Sequence, residues 1–474
     1  MATLLERRHH GAHAHDAAVV HRMGLSQSTA LIVGSIIGVG IFSLPYSLAG
    51  YGPISLVAMG IASVAALAFA LLFASLSRRM PADGGPYAYS RSAFGNGVGF
   101  GNAWSYWITA WAGNAAIAVG WVYYVEHFIN KDGAKAFSIL IALAGLWIPA
   151  AVNLSGLRNI GAFQVVTTVL KFVPLLFMAV IGLFFISAAN FTPWNTSGDT
   201  TWGAIGGAMA ICLFSYLGVE TAAVAAAKVR DPQRNVPRAT VLGTLASAVV
   251  YLMSMVAVFG ILSTDALALD ENKASYAVAS NTIFGGTWSG HVVAAAVIIS
   301  GIGALNGWTM ICAEMPRAAA KDGLFPARFA SVNGRGEPAF GIVSSTLFAS
   351  LAVLISFWGT NGSTVFTTLV LMTGITAAIP FGFSALAQIA WRVRDRRMGL
   401  DAHVVRDVLV AVAAVAASIA FVYYSRNTGS SWYVVWGPFL MTGGAFAIGV
   451  PVYLAQRGRM TEPAPVPYYG QTGR

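Results

Sequence analysis

Twelve stretches of this chain are apolar over a length that crosses a lipid bilayer, and that feature constrains its fold more than any other. They lie at about 27–49, 53–76, 98–127, 137–154, 161–187, 202–227, 239–263, 289–318, 339–358, 365–391, 407–424 and 432–456, between segments rich in charge, glycine and proline. A hydrocarbon layer about 30 Å thick is crossed by roughly 20 residues of helix, and the longer stretches cross it with tilt. Composition agrees with this reading. Of 474 residues, 57% are hydrophobic and 10% are charged, against roughly 25% charged in an average soluble protein. So few charges cannot clothe a soluble globule of this size. A soluble enzyme, a disordered chain and a disulfide-stapled secreted domain are excluded. The sequence predicts an all-α polytopic membrane protein with twelve transmembrane helices.

The charges that remain orient it. With the N-terminus inside, 23 of the 28 Lys and Arg residues fall in cytoplasmic segments and four (Lys131, Lys135, Lys273 and Arg426) on the opposite side. Such asymmetry predicts both termini in the cytoplasm of a cell whose inner membrane holds the protein. It also accounts for the net charge of +10 without nucleic acid as a partner. Cys212 and Cys312 lie in apolar stretches and make no disulfide framework. The leader lacks the apolar core and cleavage site of a signal peptide, so the first span is expected to serve as its own insertion signal. Its histidines (His9, His10, His13, His15 and His21) are read as part of a solvated, weakly basic tail rather than a metal site.

Two of the spans carry signs of interruption. The first holds Gly34-Ser-Ile-Ile-Gly-Val-Gly-Ile-Phe42, followed by Pro45, and the sixth holds Leu213-Phe-Ser-Tyr-Leu-Gly-Val-Glu-Thr221. The Gly-x-x-x-Gly spacing of Gly34 and Gly38 also suits close helix packing. Three glycines in seven residues favour a break, which is tolerated at membrane depth only where it lines a polar cavity. Paired breaks in two halves of a chain point to an inverted-repeat transporter with its site at the midplane. Where the first helix restarts near Gly38 to Ile41, free N–H groups and the positive dipole end suit a carboxylate. Where the sixth stops near Phe214 to Leu217, free carbonyls suit an ammonium group. Together they predict a cradle for an α-amino acid.

These same residues carry a resemblance. The stretch Gly34 to Pro45, the stretch Phe214 to Ala222 with Arg230-Asp-Pro-Gln-Arg-Asn-Val-Pro-Arg-Ala-Thr240, and Asn306-Gly-Trp308 through Ala318-Ala-Ala-Lys-Asp-Gly-Leu-Phe-Pro326 resemble the amino acid–polyamine–organocation superfamily. Within it they are closest to the basic amino acid/polyamine antiporter branch, which includes arginine/agmatine antiporters, and the likeness covers about residues 25–400. The resemblance implies a LeuT-like 5+5 inverted repeat plus two peripheral helices, often dimeric, with no organic cofactor. It divides the chain into a polar cytoplasmic leader (1–25), a transport core (26–391, repeats 26–187 and 202–391), two peripheral helices (407–456) and a cytoplasmic tail (457–474). It implies a secondary active transporter of basic amino acids or derived amines, working by alternating access as an exchanger or proton-coupled carrier. A neutral amino acid/proton symporter is the alternative within the fold, and a substrate-sensing receptor is a more distant one.

By the same resemblance, substrate-lining positions fall on Ile36, Val39 and Gly40 in the first span and on Tyr106, Thr109, Ala110 and Asn114 in the third. Phe214 and Leu217 follow in the sixth, Trp308 in the eighth and Thr373 in the tenth. An aromatic at 308 suits a cation–π contact with a guanidinium or ammonium, although a packing role is open to any Trp. Position 214 is Phe where that branch carries Trp, which weakens the case for strict arginine specificity.

Three charges, Lys171, Glu220 and Glu314, fall deep within spans. A charge at the bilayer centre costs at least about 2.5–3.5 kcal/mol on insertion scales, so each is expected to face a cavity or a partner. They are the candidates for proton coupling or gating. Lys171 resembles the fifth-helix lysine of proton-coupled members of the superfamily, whose ammonium takes the place of a sodium ion. Its other reading is pairing with a carbonyl or a glutamate. Glu220 follows the sixth-span break, and the resemblance assigns it a gate-and-proton role. Glu314 stands at helical spacing from Arg317, with which it is expected to pair. No clustered His or paired Asp lies mid-membrane, so a membrane-embedded enzyme ranks below a transporter.

Overall fold

The structure, a computed structural model, describes residues 23–80, 84–156, 160–221, 229–358, 362–397, 404–428 and 431–466, with the side chains of 160–165 excepted. The histidine-bearing leader up to residue 22 and the tail beyond 466 lie outside the described residues.

The described chain is helical, with one isolated bridge between Met23 and Val229. In order, the helices are α1 (Leu25–Ile36), α2 (Gly40–Leu48), α3 (Ser55–Arg79), α4 (Pro86–Phe94), α5 (Asn96–Val125), α6 (Lys135–Leu154), α7 (Ile160–Val180) and α8 (Thr201–Cys212). After these come α9 (Pro232–Ile261), α10 (Ser275–Phe284), α11 (Trp288–Lys321), α12 (Ala339–Ser356), α13 (Gly362–Arg397), α14 (Val404–Tyr424) and α15 (Gly437–Gln456). Among the described residues, nine helical segments are long and apolar enough to cross a membrane, with α1 and α2 forming one of them. The three other expected crossings fall on α5, α7 and α8. The 30 residues of α5 include four Trp, three Tyr and three Asn, and its length is enough to cross.

That composition fits where α5 sits. From Gly99 to Tyr124 all but one of its residues are buried, which is the signature of a helix at the centre of a bundle. It packs along α13 and α11, while α3 packs on α9. The periphery is the opposite case. Only 17% of the apolar window of α15 and 28% of that of α14 is buried, against 78% for α13. Their exposed Leu409, Val412, Ile419, Leu440 and Leu454 form a surface suited to lipid.

The helix ends rich in arginine are tied by ion pairs. Arg79 meets Asp395 in a bidentate pair at 2.7 and 2.9 Å, and Arg392 bonds Asp407, so α3, α13 and α14 are joined at one end. Buried pairs of this kind add little net stability but penalise wrong packings. On the same side, Arg91 of α4 pairs with Asp322 at 2.7 Å.

Candidate functional site

The first span is broken where its glycines cluster. Helix α1 ends at Ile36, residues 37–39 are non-helical, and α2 starts at Gly40. The end of a helix leaves carbonyls without partners, and here two side chains from other helices supply donors. Lys171 Nζ of α7 donates to the Gly34 carbonyl at 3.2 Å, and Tyr251 Oη of α9 donates to the Ile36 carbonyl at 2.9 Å. Lys171 is 1% exposed, so its ammonium lies against the negative end of the α1 dipole, where a cation is favoured.

The sixth span breaks differently. Helix α8 gives way to a 3-10 turn over Leu213–Tyr216, Leu217 is extended, and Gly218 takes a φ of +109°. A Cβ on Gly218 would lie 2.8 Å from the Ser35 carbonyl carbon, so glycine is required both by the dihedral and by the approach of the two breaks. Glu220, fully buried, closes the turn on itself: Oε2 accepts from the Gly218 N–H at 3.1 Å. Its other oxygen, Oε1, accepts from Tyr106 Oη of α5 at 2.7 Å.

Between the two breaks lies a cavity contracted to about 20 Å3, about the room one water needs. The first span contributes Ser35, Ile36, Gly38, Gly40 and Ile41, α5 contributes Gly113 and Ile117, the sixth span Phe214, Ser215 and Leu217, and α11 Trp308. The Phe214 ring lies directly on Gly40: a Cβ there would stand 2.7 Å from Cε1. Helix α2 turns its N-terminal end, with free N–H donors and positive dipole, towards this space.

Five of the eleven expected lining residues, Ile36, Gly40, Phe214, Leu217 and Trp308, border this closed cavity. The others stand behind it. The Thr373 methyl is 3.3 Å from where a Cβ on Gly113 would be. Asn114 Nδ2 donates to Thr309 Oγ1 at 3.1 Å, and Thr109 bonds Thr376 at 3.0 Å. Ala110 is buried, Val39 packs towards Gly301, and Tyr106 reaches Glu220. Glu314 is apart from the rest: its side chain is 49% exposed and pairs with Arg317 at 3.3 Å. The cavity adds Ser35, Gly113, Ile117 and Ser215 to the expected set. Gly113 and Ile117 lie one and two turns beyond Thr109 on the same face of α5, so helical period alone reaches them.

Among the described residues no group of three or more His, Cys, Asp or Glu side chains is arranged to hold a metal ion. The features present are two facing helix breaks, a buried ammonium on one of them, a buried carboxylate on the other, and a narrow space between. The amino acid permease family profile matches residues 23–446. The chain belongs to the amino acid permease family. It is therefore a multi-pass membrane transporter for small molecules, not an enzyme. It is 29% identical over 453 residues to an arginine/ornithine antiporter of Pseudomonas aeruginosa, covering 91% of this chain and 92% of that one. It is 28% identical over 404 residues to a cadaverine/lysine antiporter of Escherichia coli K12, covering 84% and 90% respectively. In this permease both breaks fall within the matched region.

Proposed function

We propose that this permease exchanges basic amino acids, or the amines derived from them, across the cell's inner membrane by alternating access. The observation that carries the reading is the cradle between the two breaks, where the start of α2 suits a carboxylate and Gly40, now covered by the Phe214 ring, puts no side chain of its own between a ligand and the backbone. The names of the two relatives support the cationic class and exchange. The same proposal includes twelve crossings in an inverted 5+5 arrangement with α14 and α15 outside it, cytoplasmic termini and a homodimer. Lys171 and Glu220, one on each break, are its candidates for coupling to protons. Glu314, paired on the surface, enters as a gating residue at the cytoplasmic end of α11.

A second reading, symport of a neutral amino acid with a proton, is favoured by one observation. Among the described residues, none that borders the closed cavity carries a carboxylate, so a cationic side chain would rely on the rings of Phe214 and Trp308. Counterflow separates the two readings. Purified permease in liposomes loaded with ornithine should take up labelled arginine, ornithine or putrescine faster than liposomes loaded with buffer. Uptake of neutral amino acids alone, driven by an imposed proton gradient and indifferent to internal substrate, would establish symport instead. Uptake of neither class would end the transport reading.

A further inference from the structure

A second cavity, of about 590 Å3, opens at the end of α5. Tyr46 of α2 borders it, whereas Ile41 of α2 borders the cradle. Five residues of helix separate the two positions, about 7.5 Å. Along α5 the cradle's Ile117 and the vestibule's Val119 are closer still. The two cavities thus lie at neighbouring levels of α2 and α5, and the vestibule wall includes the edge-on rings of Tyr46 and Tyr123, 5.5 Å apart.

One group in its wall is built for a cation. Glu126, at the end of α5, is 5% exposed. Its Oε1 accepts from Asn130 Nδ2 at 2.7 Å and from Ser138 Oγ, so neutral donors fix one oxygen from behind. Its Oε2 accepts from Lys273 Nζ. That lysine is not part of the same scaffold. It comes from the loop before α10, and its side chain is 20% exposed where the glutamate's is 3%. The loop is also fastened at Asp270, which accepts from Tyr46 Oη. Lys131, Lys135, Asp132 and Glu271 face the vestibule too, and Lys131, Asp132, Lys135 and Glu271 are all exposed.

A buried ion pair adds little stability over an apolar one, so stability is a weak reason for this arrangement. A fixed carboxylate oxygen answered by a primary ammonium on a more exposed loop resembles a binding site holding an internal ligand. We propose that the vestibule is a waiting site for substrates bearing a primary ammonium, with Glu126 as its carboxylate and Lys273 as the tethered competitor that such a substrate displaces. The site rests on the exchange of cationic substrates argued above, and it adds a step to it: capture on Glu126, then descent past Tyr46 and Tyr123 to the cradle.

The test is the sidedness of KM. Exchange of labelled ornithine would be measured with the full chain in right-side-out and in inside-out vesicles. The charge-swapped double variant Glu126→Lys with Lys273→Glu keeps an ion pair at the same place but reverses the fixed charge. Its KM from the vestibule face should rise about tenfold or more, the size of one lost hydrogen bond to a charged group, while KM from the other face stays at the wild-type value. Wild-type KM at both faces would make the pair merely structural, and an equal rise at both faces would also overturn the site. Should the swapped chain fail to fold, Lys273→Met decides the matter. Freed of its competitor, the vestibule should bind ornithine with a lower KM on its own face, and an unchanged or higher KM there would overturn the proposal. A wild-type protein that exchanges no cationic substrate would fail the exchange reading itself and the waiting site with it. Normal exchange with an insensitive KM in the variants would fail the waiting site alone.

Discussion

The two helix breaks face each other across the same small cavity, yet they are stabilised by opposite means. The first is held from outside: Lys171 and Tyr251, on α7 and α9, donate to two of its carbonyls. The second is held largely from within, by the Glu220 carboxylate folding back onto the Gly218 N–H, with Tyr106 as its tie to the third span. An externally held break changes shape when its neighbours move. A self-held break moves as a unit. The first span is therefore the one sensitive to the rest of the bundle, and the second the more rigid.

The largest expected effect comes from the self-held turn. Gly218→Ala places a Cβ 2.8 Å from backbone at a φ of +109°, and strained dihedrals of that kind cost about 1–3 kcal/mol before any clash. Thermal unfolding in detergent should show a severe loss of stability or no folded protein, and unchanged melting would mean the turn is not held as described. Next comes Glu220→Gln. An amide has one acceptor oxygen where two donors now bond, and leaving a donor to a former carboxylate unanswered costs about 1.5–3 kcal/mol. Exchange should slow by about tenfold or more, and wild-type turnover would remove Glu220 from the mechanism.

Smaller effects test the externally held break. Lys171→Met should cost about 1–3 kcal/mol by leaving the buried Gly34 carbonyl unanswered, and Tyr251→Phe about 1 kcal/mol. These two donors serve different carbonyls from different helices, so their effects on melting should add. Tyr106→Phe is also expected to cost about 1 kcal/mol. Combined with Glu220→Gln it should be less than additive, because both changes act on one bond. Additivity in the second pair, or its absence in the first, would erase the distinction between the breaks.

Much of this was readable from sequence because the bilayer permits so few solutions. Apolar length placed the helices, and the glycines at 34, 38 and 40 marked a break that falls at residues 37–39. Ends were less legible. The fifth stretch, expected to run to 187, is α-helical only to Val180 and continues in 3-10 turns at Gly182–Phe185 and Ala188–Phe191, since apolar residues fit either form. The sixth turns from α to 3-10 helix after Cys212 for the same reason. Burial all round hides which face of α5 borders the cavity, so Gly113 and Ile117 carry no hydropathy signal. The partners of the breaks were hidden too, because Tyr251 lies 215 residues from Ile36 and Tyr106 lies 114 from Glu220. Nothing in the local sequence of Glu126 points to Lys273.

If exchange takes place in the cradle between the breaks, Gly40→Ala should abolish counterflow. The added methyl meets a side chain, the Phe214 ring, so the helices can keep their places while the cradle is filled. The variant should melt near the wild-type temperature but exchange labelled ornithine no faster than protein-free liposomes. Wild-type exchange by a folded Gly40→Ala protein would mean that substrate does not pass through the cradle.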